Sequence, residues 1–155
     1  MGFFSFFTQE LAVDLGTANT LIIKDGEVVV DEPSIVAIDR KTNETIAVGR
    51  KAMQMHEKTH DNIKTIRPLK DGVIADFQAA ENLIKDLIGM IEEKRRFFTH
   101  LRMVICIPSG ITEVEKRAVF DSADHVDSRE TYLIHEPMAA ALGCLLYTSP
   151  SPRDS

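Results

Sequence analysis

The order in which hydrophobic periodicity changes along the chain is what most constrains its fold. From residue 76 onward, helical and extended signatures alternate. Asp76 is a natural N-cap, and Phe77, Ala80, Leu83, Ile84, Leu87, Ile88 and Ile91 recur at helical spacing. This predicts a helix over 76–95, with Glu81 and Lys85 as an i,i+4 pair. The cluster Lys94-Arg95-Arg96 suits the negative end of its dipole. "RMVICIP" (102–108) is a continuous apolar run closed by Pro108 and reads as a buried central strand. "TEVE" (112–115) is a capping box, opening a helix that turns Val114, Ala118, Val119, Ala123 and Val126 inward. "TYLI" (131–134) reads as a short buried strand. "EPMAAALG" (136–143) opens a helix with Pro137 in its first turn, where the missing N–H costs nothing. Such alternation requires a partly parallel sheet with helices on its faces.

The first half is different. Residues 10–15, 20–24, 27–31 and 34–38 read as strands of a meander punctuated by Asp25-Gly26 and Glu32-Pro33. A further strand is predicted at 45–49 and a short helix at Arg50–Lys58. Residues 60–74 read as irregular with short extended pieces, because Pro68 and Gly72 prevent a long helix. The chain's end, "CLLYTSPSPRDS" (144–155), has two Ser-Pro pairs and no periodicity. It predicts no packed structure past about Leu146. It resembles a translated vector scar, so 144–155 reads as a non-native or disordered tail and the chain as truncated.

At 155 residues the chain is about the size of one domain. A net charge of −6 leaves no basic surplus to neutralise a nucleic-acid backbone. Cys106 and Cys144 make no disulfide framework, so a reducing cytoplasm is the default. No apolar run reaches transmembrane length, and no signal peptide is visible. "MGFFSFF" packs Phe3, Phe4, Phe6 and Phe7 into the start of the chain. It reads either as a strand-like lead-in on the domain or as an interfacial anchor with its aromatic side chains in the headgroup region.

The chemistry concentrates in "ELAVDLGTANTLIIKDG" (10–26). A turn of small residues lets backbone N–H groups converge on an anion, and such concavities bind phosphates. Gly16 permits dihedrals closed to other residues, while Thr17, Asn19 and Thr20 add side-chain donors. Asp14 can hold Mg²⁺ through its waters, and that cation reverses the repulsion between an acid and a phosphate. The bland alternative is a structural hairpin. Glu136 follows a strand at a helix start, where the dipole favours a carboxylate. It either orients a water for attack on a terminal phosphate or is an ordinary helix-start acid.

Taken in order, "AVDLGTANTLI", "DEPSIVAID", "IRPLKDGVIADF", "IPSGITEVEKRAVFDSA" and "LIHEPMAAALG" resemble the MreB group of bacterial actin homologues over about residues 10–143. "DLGT" alone is shared with chaperone ATPases and sugar kinases of the same superfamily; "DLGTANTLI" with "RPLKDGVIADF" and "EPMAAALG" is specific to this group. The resemblance implies an α/β fold: the first domain of an actin-like (ribonuclease H-like) ATPase, a mixed sheet with helices on both faces. It also implies a small subdomain inserted at about 33–75 and the second half of the fold missing. Asp14, Gly16, Thr17, Ala18 and Asn19 would form the first phosphate loop for ATP, with Mg²⁺ at Asp14, and Glu136 would be the catalytic residue that positions water.

The resemblance further implies a slow ATPase that polymerises with itself into antiparallel double filaments on the cytoplasmic membrane. With the cell-wall synthesis machinery, it would direct rod shape. Residues 1–9, through Phe3, Phe4, Phe6 and Phe7, match the family's membrane-contact segment by position, and Phe97-Phe98 match its second apolar contact. For the latter pair the alternative is a helix end tucked on the core. Within the superfamily, a chaperone-type ATPase is the runner-up and a small-molecule kinase the third reading; an inert half-protein is the non-enzymatic one. The 155 residues alone are expected to bind ATP very weakly or not at all.

Two departures stand out. "DHVDSRE" (124–130) replaces a Gly-rich helix-to-strand connection, so Asp127 or Ser128 must make the turn. His135 stands where many members carry a second acid. Neither His135 nor the scattered His56, His60, His100 and His125 has metal-ligand spacing.

Overall fold

The computed structural model describes residues 8–57, 61–91, 100–125 and 128–148. A five-stranded sheet in the order β10-β9-β1-β2-β3 organises the molecule. Its strands are β1 (Thr8–Leu15), β2 (Asn19–Lys24), β3 (Glu27–Pro33), β9 (His100–Ile107) and β10 (Ser128–His135). β1, β2 and β3 form the antiparallel meander, and β1, β9 and β10 run parallel. The parallel strands are joined through α3 (Glu113–Asp124), as the alternating pattern requires.

One face of this sheet is the core. Leu11, Val13 and Leu15 of β1 and Leu101, Met103, Ile105 and Ile107 of β9 are buried. They cluster with α2 (Phe77–Gly89), through Ala80, Leu83, Ile84, Leu87 and Ile88, and with Val119 and Ala123 of α3. The opposite face carries three rows set by the parallel register. Glu10, Arg102 and Glu130 form the first, Ala12, Val104 and Tyr132 the second, and Asp14, Cys106 and Ile134 the third. Arg102 bridges Glu10 at 2.9 Å and Glu130 at 2.8 Å. β9 is therefore not buried on both sides: Val104 is 37% exposed and Tyr132 of the edge strand β10 is 54% exposed. A run of apolar residues hides a period of two when the residues on the second face are also apolar.

A second, three-stranded sheet, β5-β4-β6, leaves the end of β3. It contains β4 (Val36–Asp39), β5 (Thr45–Val48) and β6 (Ile63–Ile66). With α1 (Gly49–Glu57) it encloses its own small core of Ile35, Ala37, Ala47 and Ala52. The segment read as irregular then forms a hairpin, β7 (Leu69–Lys70) and β8 (Val73–Ile74). Its two turn residues, Asp71 and Gly72, have φ of 53° and 74°, the positive pair that a two-residue type I′ turn demands.

Three helix readings change. α2 ends at Gly89 rather than near Arg95, with the Met90 N–H donating back to Asp86 and Ile88 carbonyls; a glycine there is a poor continuation. Lys94, Arg95 and Arg96 lie outside the described residues. Glu81 is engaged by His125 Nδ1 at 2.6 Å, which pins the end of α3 to α2. Val114 is exposed, the inward positions of α3 are Glu115, Val119, Ser122 and Ala123, and Val126 lies outside the described residues. Finally, α4 spans Glu136–Thr148, five residues beyond the boundary drawn at Gly143, so Cys144 belongs to a helix. Residues 149–155 lie outside the described residues, as does Asp127, one of the two residues expected to turn the chain before β10.

Candidate nucleotide site

Gly16, Thr17 and Ala18 connect β1 to β2. A Cβ at Gly16 would lie 2.5 Å from the backbone oxygen of Asn19, so the turn closes tightly only because that side chain is absent. The turn is held from behind by Ser34, in the link between β3 and β4. The Ser34 hydroxyl donates to the Gly16 carbonyl at 2.6 Å, and its backbone N–H donates to the Ala18 carbonyl at 2.8 Å. Ser34 and Thr20, whose hydroxyls are 2.9 Å apart, are both fully buried.

The tip is tied at two more points. Thr17 Oγ1 accepts the Gly72 N–H at 3.3 Å, which brings the β7–β8 hairpin to the turn. Asn19 Nδ2 donates to Asp31 Oδ1 at 3.0 Å, so its side chain is spent on the sheet. Asn19 offers the site its backbone. Thr17, Ala18 and Asn19 are exposed, whereas Gly16 is half-buried.

Asp14 sits on the outer face at the carboxyl end of β1, beside Cys106 in the parallel register. Glu136 follows β10 directly and opens α4. Both carboxylates act on one thiol. Burial pushes Cys106 up to about 11, and the negative charges of Asp14 and Glu136 add to the shift. Asp14 and Glu136 therefore converge on one side of the sheet, at the carboxyl ends of parallel strands where open α/β sheets bind ligands. Among the described residues neither has a hydrogen-bond or ion-pair partner.

Mg²⁺ fits this arrangement in one way only. Among the described residues no group of three or more His, Cys, Asp or Glu could hold a metal ion. A single unpartnered carboxylate matches a cation that keeps its waters and takes its other ligands from phosphates. Phe3, Phe4, Phe6, Phe7, Phe97 and Phe98 all lie outside the described residues. Among the described residues no helix is long and apolar enough to cross a membrane.

The sequence singled out Asp14, the 16–19 turn and Glu136 as candidates, and the structure places beside them Ser34, Cys106 and the Asp71-Gly72 hairpin, which the sequence did not single out. The Asp-Gly pair was a usable hairpin signal. Ser34 carried none, because its partners Thr20, Ala18 and Gly16 are 14, 16 and 18 residues away in sequence.

Residues 8–150 match the model of the MreB/Mbl protein family. The cell shape-determining protein Mbl of Bacillus cereus is 45% identical over 138 residues, covering 88% of this chain and 41% of that protein. The chain thus spans about two-fifths of the length of that relative. Among solved structures, MreB5 of Spiroplasma citri bound to AMPPNP superposes with a TM-score of 0.74 at 37% identity, over 88% of this chain and 41% of that one. The same protein bound to ADP gives 0.75 over 88% and 40%. MamK, solved as a double helical filament, gives 0.72 over 88% and 43% at 21% identity, a likeness of fold alone.

Proposed function

The chain belongs to the MreB/Mbl family of actin-like, cell shape-determining proteins, and from that premise we propose that it is the phosphate-gripping portion of an ATP-hydrolysing filament protein. The observation that best supports this reading is the convergence of Asp14 and Glu136 beside Cys106, next to the Gly16–Asn19 turn. The nucleotide-bound forms of MreB5 support ATP as the ligand. In this reading, backbone N–H groups of the turn and the Thr17 hydroxyl bind phosphate oxygens. Asp14 would hold Mg²⁺, which when bound supplies positive charge against the triphosphate. Glu136 accepts a hydrogen bond from a water and aims its lone pair at the terminal phosphate, so its contribution is positioning and proton acceptance.

Self-association into filaments is part of the same proposal. It is supported by the shape-determining role of the family and, at the level of fold, by the MamK filament. Assembly on the cytoplasmic membrane through Phe3, Phe4, Phe6, Phe7, Phe97 and Phe98, with the wall-synthesis machinery as partner, extends it. Co-sedimentation with anionic vesicles, abolished by Ser at the four N-terminal positions, tests that extension.

The central test uses the full-length protein that carries this segment. Glu136→Ala is expected to slow phosphate release by roughly a hundredfold with ATP binding intact. Asp14→Ala is expected to weaken binding of the magnesium–nucleotide complex itself. Variants that alter only melting temperature would remove both residues from the site.

A further inference from the structure

We infer that Ser34 is a positioning residue for the phosphate turn, acting through the backbone of Gly16 and Ala18; the inference rests on the nucleotide-binding reading above. A hydroxyl has one proton to give. Ser34 gives it to the Gly16 carbonyl at 2.6 Å, so across the 2.9 Å contact with Thr20 it is the Thr20 hydroxyl that donates. The result is a directed chain, Thr20 to Ser34 to Gly16, with the Ser34 N–H holding the Ala18 carbonyl in parallel.

A trans peptide is planar, and its C=O and the following N–H point in opposite directions. With the carbonyls of Gly16 and Ala18 turned toward Ser34, the N–H groups of Thr17 and Asn19 are directed away from it. Those are the donors an incoming phosphate needs. Two carbonyl dipoles that would repel the anion are held on the far side. Because the Ser34–Thr20 pair is fully buried, water does not compete for these bonds, and the turn is set before the ligand arrives. Preorganised donors of this kind avoid the cost of reorganising at the moment of binding. Ser34 lies where the chain leaves β3 for the small sheet, so the path of that connection fixes the phosphate turn.

The test compares Ser34→Ala, which keeps the packing and deletes the hydroxyl, with Ser34→Thr, which keeps the hydroxyl and crowds the packing. Both are made in the full-length protein. ATP affinity, adenosine affinity, melting temperature and amide exchange at Thr17–Asn19 are read for each. Ser34→Ala is expected to lose about tenfold in ATP affinity and to exchange its turn amides faster, with adenosine affinity unchanged. Ser34→Thr is expected to lower the melting temperature and keep ATP affinity. Wild-type ATP affinity in Ser34→Ala would overturn the inference. So would parallel loss of ATP and adenosine affinity tracking melting temperature in both variants, because that marks a merely structural serine. A wild-type protein without ATP affinity would overturn the nucleotide reading itself, and the inference with it.

Discussion

Asp14 and Cys106 are register partners on the parallel strands β1 and β9, and the carboxylate helps to push the thiol up to about 11, after burial and together with Glu136. The thiol is thus a reporter of both carboxylates. Since the thiolate is the reactive form, only about one Cys106 in a thousand is reactive at pH 8. In a Cys144→Ser background, alkylation should accelerate about tenfold per pH unit up to pH 10 without a plateau. Asp14→Asn and Glu136→Gln should each bring the curve to lower pH. A plateau near pH 8.5 in the parent would refute the raised thiol altogether, and a curve left in place by both variants would show that the carboxylates do not act on it.

Glu115 is the second electrostatic anchor. Its carboxylate accepts the Thr112 N–H and hydroxyl, both at 2.6 Å, and the Ile74 N–H at 3.2 Å. The Thr112 bonds, with a lesser contribution from Ile74, hold its pKa below the ordinary value against the opposing effect of burial. A folded pKa below the unfolded one stabilises the fold above the unfolded value, near 4.3. That stabilisation is lost as pH falls through the folded value. Stability should therefore drop below about pH 4, and Glu115→Gln should flatten that part of the profile. Glu115→Ala strands the buried Ile74 N–H, at roughly 1–3 kcal/mol, and should lower the melting temperature at pH 7. Equal acid sensitivity in Glu115→Gln and the parent would refute the assignment.

The turn itself makes a steric prediction. Ala at position 16 brings a Cβ to 2.5 Å from the Asn19 oxygen, and backbone is what must move. In the full-length protein, Gly16→Ala should cost more than tenfold in ATP affinity, read by calorimetry, while far-ultraviolet circular dichroism stays native. Unchanged affinity would show that the turn's shape does not matter to binding.

What was legible in the sequence is what is local. Asp76 caps α2, accepting the Ala79 N–H at 2.9 Å, and Thr112 and Glu115 form the capping box, because each signal spans three residues. The alternation after residue 76 gave the parallel pairing of β9 and β10. Asp14, the turn and Glu136 could be named as candidates because they lie in contiguous motifs. Ser34 was not found, because its role exists only once β3 has carried it back beside Gly16. The one-sided burial of β9 was not legible either, since Val104 and Cys106 are apolar while facing outward from the core. The Arg102 row with Glu10 and Glu130 joins three strands, and no periodicity within one strand encodes it.

The junction to the small sheet offers a comparison of two partners in one ion pair. Glu32 Oε2 accepts the Arg50 N–H at 2.7 Å in the first turn of α1, where a negative charge also suits the helix dipole. The Arg50 side chain is 67% exposed and that of Glu32 only 16%. Arg50→Ala should therefore cost at most about 1 kcal/mol, as exposed pairs do. Glu32→Ala removes an N-terminal helix acceptor as well and should cost about 1–2 kcal/mol. Urea denaturation of both variants checks the order, and an Arg50 variant less stable than the Glu32 one would reverse the argument.

The last prediction concerns the 155 residues by themselves. They span 41% of the length of the Mbl relative, and the side chains they bring to the proposed site are one hydroxyl, Thr17, and two carboxylates, Asp14 and Glu136. Against a triphosphate the carboxylates repel unless a cation intervenes, and the net charge of −6 adds no long-range attraction. Backbone N–H groups of a single turn must then supply most of the favourable contact. A few such bonds, each worth about 0.5–1.5 kcal/mol net, do not offset the several kcal/mol lost on association. Calorimetry on the isolated chain with ATP and magnesium should give a Kd weaker than about 1 mM, with binding recovered in the full-length protein. Micromolar affinity in the isolated chain would show that this portion alone forms a complete nucleotide site.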